Sequence, residues 1–263
     1  MAKMLIFGMG YAAEHLAARL GARGWDVTGT TRDGRGGTIS FDDEAAVLAA
    51  LRGATHILSS VPPAEGHDPV LARYGDAIAL APAIWTGYLS STGVYGDTGG
   101  AWVDESASVR GRRAARNAAD AAWQALRSDV RVFRLPGIYG PGRSILERIA
   151  EARAHRIALP DQVFSRIHVD DIAGGVLASF RGPAGAYNLA DDEPCHQNRL
   201  VEWGCALLGA PLPPLQTLDE AGLSAAARAF YAENRRVANG RAKRRLGWAP
   251  RYPSFREGLA ACR

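Results

Sequence analysis

The sequence predicts an α/β protein with a doubly wound parallel sheet and a smaller C-terminal α/β lobe. Strand-like apolar runs alternate with helix-like amphipathic runs along the first half of the chain, at the spacing of βαβ units. The first unit reads Lys3–Phe7, then Gly8-Met-Gly-Tyr-Ala-Ala13, then Glu14–Leu20, which is the order strand, tight turn, helix. A glycine turn after the first strand of such a sheet is typical of the Rossmann type.

Composition sets limits on the class of protein. The chain has 263 residues, 47% of them hydrophobic and 22% charged, which is typical of a globular domain with a smaller lobe. No apolar run approaches the roughly 18–20 residues of a membrane span, so we expect a cytoplasmic protein without a membrane partner. Cys195, Cys205 and Cys262 lack metal-ligand spacing, which predicts reduced thiols and no metal site.

The net charge of +4 is carried almost entirely by arginine, since only Lys3 and Lys243 are lysines. Two arginine-rich stretches stand out, 110–116 and 235–245. Neither is interleaved with aromatic residues that could stack on bases, so we expect no nucleic-acid partner.

The glycine turn predicts a site for a dinucleotide. Gly8 permits the sharp turn, and Gly10 lets backbone amides approach a pyrophosphate. Ala13 is small enough to seat the helix on the strand, and the helix N-terminus supplies partial positive charge. The alternative is an ordinary βα turn.

The end of the second strand, Trp25–Thr31, predicts NADP in preference to NAD. NAD-binding sheets place an acidic residue about 20 residues after the glycines, where it binds the ribose hydroxyls. Thr30, Thr31 and Arg32 occupy that place here. A guanidinium can bind the 2′-phosphate that a carboxylate would repel. The alternative is a solvated arginine in a polar loop.

The remaining elements follow in βα order. A short strand at 36–42 is expected to bring Asp42 to the adenine edge, and the strand at 56–61 ends at Pro62-Pro63, a loop across the cofactor. Asp170 and Asp171 precede an apolar helix and are explained in part as N-caps. Helices are predicted at 43–51, 70–80, 144–155, 172–180, 198–208 and 223–234, with further strands at 85–91 and 186–191.

The segment Ser90-Ser-Thr-Gly-Val-Tyr-Gly96 resembles the active-site strand of the extended short-chain dehydrogenase/reductase family, which includes nucleotide-sugar epimerases and dehydratases. Further matches follow in the family's order and cover essentially the whole chain; they lie at 134–142, 166–173, 186–191, 246–250 and 255–259. The resemblance implies a cofactor domain at 1–138 to which 165–190 returns. It also implies a small substrate lobe at 139–164 and 191–263, and a homodimer by family habit.

The glycine turn, the end of the second strand and the resemblance together give the residues expected to line the cofactor. The end of the second strand favours NADP over NAD as that cofactor. We expect the lining residues to be Gly8, Met9, Gly10, Tyr11, Ala12, Thr31, Arg32, Asp42, Val61, Pro62, Ser90, Pro136 and Ile138.

The family's catalytic pair is missing. The resemblance implies a Ser or Thr, here Ser91, and a Tyr and Lys four residues apart on one helix face. This chain has no Tyr-x-x-x-Lys, and alignment on Asp120 puts Arg116 at the Lys position and Arg112 at the Tyr position, within about a residue. A guanidinium keeps its proton, so Arg112 cannot shuttle one.

The proton donor is therefore open. Candidates near the expected site are Tyr95, Asp97, Tyr139 and His168. The arginines could clamp a phosphate or carboxylate. Alternatively, Arg112, Arg116 and Asp120 form a solvated, salt-bridged face or a dimerisation helix.

The sequence thus predicts an NADP-binding oxidoreductase or epimerase/dehydratase-like enzyme acting on a small or sugar-like molecule, with Ser91 polarising the substrate oxygen. The alternative is a non-catalytic NADP-binding sensor or regulatory protein that has lost the catalytic pair.

Overall fold

Every strand of the central sheet pairs in parallel with its neighbours, as right-handed βαβ crossovers require. The computed structural model describes residues 1–263, apart from the side chain of Ala226. The seven strands lie in the order β11-β7-β5-β4-β1-β2-β3, so the order reverses next to β1. Ligands of such sheets bind at this reversal, outside the carboxyl ends of the strands.

The strands are β1 (Lys3–Phe7), β2 (Asp26–Thr31), β3 (Ile39–Ser40), β4 (His56–Ser59), β5 (Trp85–Ser91), β6 (Trp102–Val103), β7 (Val130–Leu135), β8 (Gly137–Tyr139), β9 (Arg156–Ile157), β10 (Arg166–His168), β11 (Gly185–Asn188), β12 (Leu215–Gln216) and β13 (Arg236–Val237). The α-helices are α1 (Tyr11–Gly21), α2 (Glu44–Gly53), α3 (Pro69–Ala79), α4 (Ala114–Leu126), α5 (Ile145–Ala150), α6 (Val169–Ala178), α7 (Gln197–Leu208), α8 (Ala225–Phe230), α9 (Gly240–Leu246) and α10 (Phe255–Ala260).

Helices cover both faces of the sheet, which confirms the doubly wound prediction. On one face, α1, α6 and α9 pack on Ile6, Trp85 and Phe133. On the other face, α2, α3 and α4 pack on Phe7 and Tyr88. Each fully buried large side chain stabilises the fold by about 1.5–3 kcal/mol relative to an exposed one.

A separate apolar cluster holds the C-terminal lobe together. It joins α5, α7 and α10 through Ile149, Val201 and Phe255. Gly204 is required for this packing, because a Cβ there would lie 2.6 Å from Ile149 Cδ1. The domain boundaries expected from the sequence stay a prediction.

Three predicted elements are shorter than the sequence indicated. The helix predicted at 144–155 ends at Ala150, since the chain turns through a positive φ of 53° at Ala152. The helix predicted at 223–234 covers Ala225–Phe230, and the strand predicted at 36–42 covers Ile39–Ser40. Among the described residues, no helix is both long and apolar enough to cross a membrane. The cytoplasmic location and the homodimer stay predictions.

Candidate active site

The glycine turn is held against β2 by its own backbone. The Met9 N–H donates to the Thr30 carbonyl at 2.8 Å, and the Gly8 N–H donates to Thr30 Oγ1 at 3.2 Å. Gly8 has φ +82°, and a Cβ there would lie 2.7 Å from Val61 Cγ2. Only glycine therefore fits at Gly8, and Val61 lies directly against the turn.

Space beside Gly10 is open. A Cβ built there meets no atom within 4 Å, and the residue forms the N-cap of α1 without a side chain. The helix begins at Tyr11, earlier than the sequence pattern indicated, while Ala13 is fully buried against the sheet. Exposed backbone at a helix N-terminus beside open space fits a pyrophosphate.

The first turn of α1 is tied to the segment after β8. The Tyr11 hydroxyl donates to the Pro141 carbonyl at 3.0 Å, and the Arg143 guanidinium lies 5.5 Å from the Tyr11 ring centre. Burial raises the pKa of Tyr11 to about 12, so the phenol stays protonated at neutral pH. Ala12 is partly buried, and Met9 packs over Gly29.

The end of β2 presents a free cation. Thr31 is buried and its hydroxyl shares a hydrogen bond with Thr38 at 2.7 Å. Arg32 is exposed, and its guanidinium makes no hydrogen bond or ion pair within the part of the chain that the structure describes. Arg35 pairs with Asp33 at 3.7 Å. A cation without a carboxylate partner fits a phosphate at this place.

Two further expected cofactor contacts lie at the surface of this edge. The Asp42 carboxylate forms an ion pair with Arg73, and Pro62 is exposed. Whether either touches a cofactor stays a prediction.

Ser91 lines a cavity of about 460 Å³ between the sheet and the lobe. Its hydroxyl accepts from the Gly93 N–H at 3.1 Å and caps the short turn that follows β5. Pro136 lines the same cavity, whereas Ile138 is partly buried against the sheet core.

The cavity is strongly cationic. Five arginines line it, together with a single carboxylate, Glu233; the arginines are Arg112, Arg113, Arg148, Arg166 and Arg235. Glu233 is already paired with two of them, Arg112 at 2.9 Å and Arg235 at 2.7 Å. Positive charge therefore remains in excess, which suits an anionic ligand.

Ser90 points to the opposite face from Ser91, into a buried polar network. Its hydroxyl donates to Asp120 Oδ2 at 2.6 Å, and Arg134 pairs with Asp120 at 2.7 Å. The Tyr95 hydroxyl accepts from Arg134 at 3.0 Å and donates to Asn188 Oδ1 at 2.7 Å. Asp120 is fully buried, so placing it on a solvated face was wrong.

Arg112 precedes α4 instead of lying within it, because the helix begins at Ala114. Its Nε donates to Glu233 at 2.9 Å and its Nη2 donates to the Ala229 carbonyl at 2.7 Å. Arg112 therefore ties the start of α4 to the lobe, and it does not share a helix face with Arg116.

Arg116 lies inside α4, half-buried, and burial lowers its pKa. Its guanidinium has no hydrogen bond or ion pair to any described residue. The Tyr88 hydroxyl is buried without a hydrogen-bond partner. If it were ionised, its negative charge would attract Arg116. The hydroxyl of Ser59 is also buried without a hydrogen-bond partner. Ser59 lies opposite Tyr88 in the register of β4 and β5. Among the described residues, these two hydroxyls are therefore buried polar groups without hydrogen-bond partners.

The other proposed proton donors lie elsewhere. Asp97 accepts from the Asn234 and Gly99 N–H groups in a loop. Tyr139 is buried, and burial raises its pKa. His168 caps α6 through Nδ1, and burial lowers its pKa to about 4.

Sequence reasoning missed the lobe side of the cavity. Arg148 lies in α5, Arg166 in β10, and Tyr231 and Glu233 in the segment after α8, and these three places share no local motif. Arg235 fell within an arginine stretch whose role could not be assigned from composition. Only the fold brings the three places together, so no sequence signal could have grouped them.

Several known proteins are similar to this chain in sequence or in structure. No family model matches the chain. A solved structure from Silicibacter pomeroyi DSS, described as a functionally unknown conserved protein, is 42% identical with a TM-score of 0.87; the match covers 100% of this chain and 98% of that one. A 3-diazoavenalumate denitrifying reductase from a Streptomyces species is 34% identical over 139 residues. That match covers 49% of this chain and 45% of the reductase, less than half of this curated relative.

More distant structures share the fold. The human epimerase family protein SDR39U1, solved with NADPH, has a TM-score of 0.78 at 19% identity, and the match covers 98% of this chain and 97% of that chain. MoeE5, solved with UDP-glucose and NAD, has a TM-score of 0.77 at 19% identity, covering 99% and 97%.

These similarities confirm the fold that the sequence predicted. The chain shares its fold with the epimerase family protein and with MoeE5, as expected for the extended short-chain dehydrogenase/reductase fold. Within that class, the chain belongs to one family with the conserved Silicibacter pomeroyi protein. That the chain lacks the catalytic function of the family's Tyr/Lys pair stays a prediction.

Proposed function

We propose that the protein is an NADP(H)-dependent oxidoreductase acting on a small anionic carbonyl or related electrophilic compound. The observation that supports this most is the cavity lined by Ser91 and five arginines. Ser91 ends β5, and the glycine turn follows β1, so both lie at the carboxyl ends of strands in the same sheet. A volume of about 460 Å³ is within the usual range of small-molecule sites. The surplus of guanidinium groups favours a carboxylate or phosphate.

The residues at the carboxyl edge of the sheet fit a dinucleotide. The open space beside Gly10 and the N-terminus of α1 would hold the pyrophosphate, and Arg32 the 2′-phosphate. Arg116, at the family's Lys position, would hold the ribose hydroxyls next to Tyr88. A bound reduced nicotinamide supplies a hydride.

The chain's own contribution to the reaction is orientation and polarisation. Ser91 would donate a hydrogen bond to the substrate oxygen while the arginines fix the anionic group, which brings the reacting carbon to one position. The name of the Streptomyces relative, a denitrifying reductase, supports a reduction.

Arg32 provides the test of cofactor choice. Replacing Arg32 with Asp should weaken NADPH binding by about ten- to a hundredfold and leave NADH binding within about threefold, because a charge-assisted phosphate contact of roughly 1.5–3 kcal/mol is lost. Isothermal titration calorimetry with both nucleotides measures this.

The matched control is Arg23→Asp, an exposed arginine after α1 at the opposite edge of the sheet, which should change neither affinity. Equal loss of NADPH affinity in both variants would show a general charge effect. An unchanged NADPH preference in Arg32→Asp would remove the assignment of Arg32.

A second candidate is a non-catalytic NADP-binding sensor, and the engagement of Arg112 with Glu233 favours it, since no proton donor stands at that place. The enzyme and the sensor are distinguished by measuring the nicotinamide absorbance in the presence of a panel of 2-oxo acids, aldehyde acids and aryl diazo carboxylates. Turnover that is lost in Ser91→Ala supports the enzyme. Tight NADPH binding without any turnover supports the sensor.

A further inference from the structure

Proton-carrying side chains in the cationic cavity are few. Besides the hydroxyls of Ser91, Thr92 and Ser165, they are His155, Tyr231 and Glu233. Glu233 is held by two arginines, and His155 Nδ1 lies 3.4 Å from Gln216 Oε1. The Tyr231 hydroxyl makes no hydrogen bond to any part of the chain that the structure describes.

Tyr231 is fixed in place by its surroundings. Its half-buried ring lies edge-on to Phe164, with ring centres 5.5 Å apart. The segment that carries it is bound on both sides of Tyr231 by Arg112, at the Ala229 carbonyl and at Glu233. The arginine that stands at the expected tyrosine position thus anchors a loop bearing another tyrosine.

The phenol of Tyr231 shares its cavity with guanidinium groups. Arg148 and Arg166 line the same cavity, and their charges lower the pKa of Tyr231 against a larger rise caused by burial. The phenol therefore stays protonated at neutral pH, as a proton donor must, and nearby guanidinium groups stabilise the phenolate left after transfer.

We propose that Tyr231, supplied by the lobe, is the catalytic proton donor of this protein in place of the missing helical tyrosine. This rests on the proposed function. With a bound reduced nicotinamide as the source of hydride, the carbonyl carbon would gain the hydride as the C=O π bond breaks, and the carbonyl oxygen would take the proton from Tyr231 Oη. The products would be the alcohol, the oxidised nicotinamide and the Tyr231 phenolate, which would recover a proton from solvent.

Tyr231→Phe removes only the hydroxyl and keeps the ring on Phe164. Single-turnover oxidation of NADPH by a substrate from the panel above should slow by about 10²–10⁴-fold in this variant, with NADPH affinity unchanged. His155→Gln tests the competing donor, and Tyr252→Phe is the control for a tyrosine outside the cavity. A loss below threefold in Tyr231→Phe, or a larger loss in His155→Gln, overturns the proposal.

A second measurement needs no turnover. With tyrosine labelled by ¹³C at Cζ, the chain's eight tyrosines give separate signals, and the Tyr231 signal is assigned by its loss in Tyr231→Phe. Titration of the NADP⁺-loaded protein with oxamate should shift this signal and leave that of Tyr252 in place. An unmoved Tyr231 signal overturns the proposal.

The two measurements also separate the two proposals. Wild-type turnover that persists in Tyr231→Phe overturns the role of Tyr231 alone. Absence of turnover in the wild-type protein overturns the proposed function and the proton transfer with it, and the oxamate titration then decides whether Tyr231 contacts the anion.

Discussion

Asp191 is a buried carboxyl group whose two oxygens accept no hydrogen bond within the described part of the chain. Burial raises its pKa to about 8, although the positive charge of Arg166 acts in the opposite direction. The folded protein therefore keeps Asp191 protonated near neutral pH, whereas the unfolded chain ionises it above a pKa of about 3.9.

Stability should fall as pH rises because of Asp191. Between about pH 4 and pH 8 the folded state binds one more proton than the unfolded state, so the free energy of unfolding decreases, by at most about 1.4 kcal/mol per pH unit. Asp191→Asn should remove this slope. Urea unfolding across that pH range measures it.

The control for Asp191 is Asp76→Asn, an exposed carboxylate on α3, which should keep the wild-type slope. If Asp191→Asn also keeps the wild-type slope, the carboxyl is ionised in the folded protein.

Single residues were predictable where their role is set by neighbours in sequence. The positions of Gly8 and Gly10 followed from a turn after a strand, and that of Ser91 from the resemblance of its strand to the family's active-site strand. The structure puts each at the carboxyl edge. The fully buried Asp120–Arg134 pair was not predictable. It joins a helix to a strand, and nothing local to Asp120 distinguishes a buried carboxylate from a solvated one.

At the scale of elements, the loop before α4 closes on the end of β5. The Arg110 and Gly111 N–H groups both donate to the Val94 carbonyl, at 2.9 and 2.8 Å. A Cβ at Gly111 would lie 2.0 Å from the Gly93 carbonyl oxygen, so only glycine allows this approach. The loop therefore fixes the position of Arg112, the residue that follows Gly111.

Gly111→Ala should destabilise the fold by about 1–3 kcal/mol or more, because the contact is with backbone that cannot rotate away. Gly53→Ala, in α2, meets no atom within 4 Å and should be neutral or stabilising by up to about 1 kcal/mol. Urea unfolding compares the two. Equal stability of both variants would show that the loop moves freely.

The beginning of α4 could not be read from the sequence for a physical reason. Its N-cap is Arg113, which makes no side-chain capping hydrogen bond, so the usual Ser, Thr, Asp or Asn signal is lacking. By contrast, α5 begins at a capping box formed by Ser144 and Glu147, and its predicted start was correct.

At the scale of the whole molecule, Arg112 links the cofactor side of the cavity to the lobe. Strand alternation predicted the sheet, since βαβ units allow few topologies. The lobe's loops were beyond prediction because long-range contacts such as Arg112–Glu233 position them.

Arg112→Ala should loosen the segment around α8. Amide hydrogen exchange at 225–233 should become about tenfold faster, as one ion pair and one hydrogen bond are lost, while β1 and β4 stay protected. Arg113→Ala is the matched control, since Arg113 lines the cavity without a bond to the lobe. Equal exchange in both variants would mean that the link contributes nothing.

Every permanently charged cation described along the cavity wall is a guanidinium. Guanidinium groups do not condense with aldehydes or ketones under mild conditions as a primary amine does, so a reactive carbonyl can remain there without being captured as an imine. Their charge is also constant from acid to strongly alkaline solution. The attraction of anions by these guanidinium groups should thus depend on ionic strength.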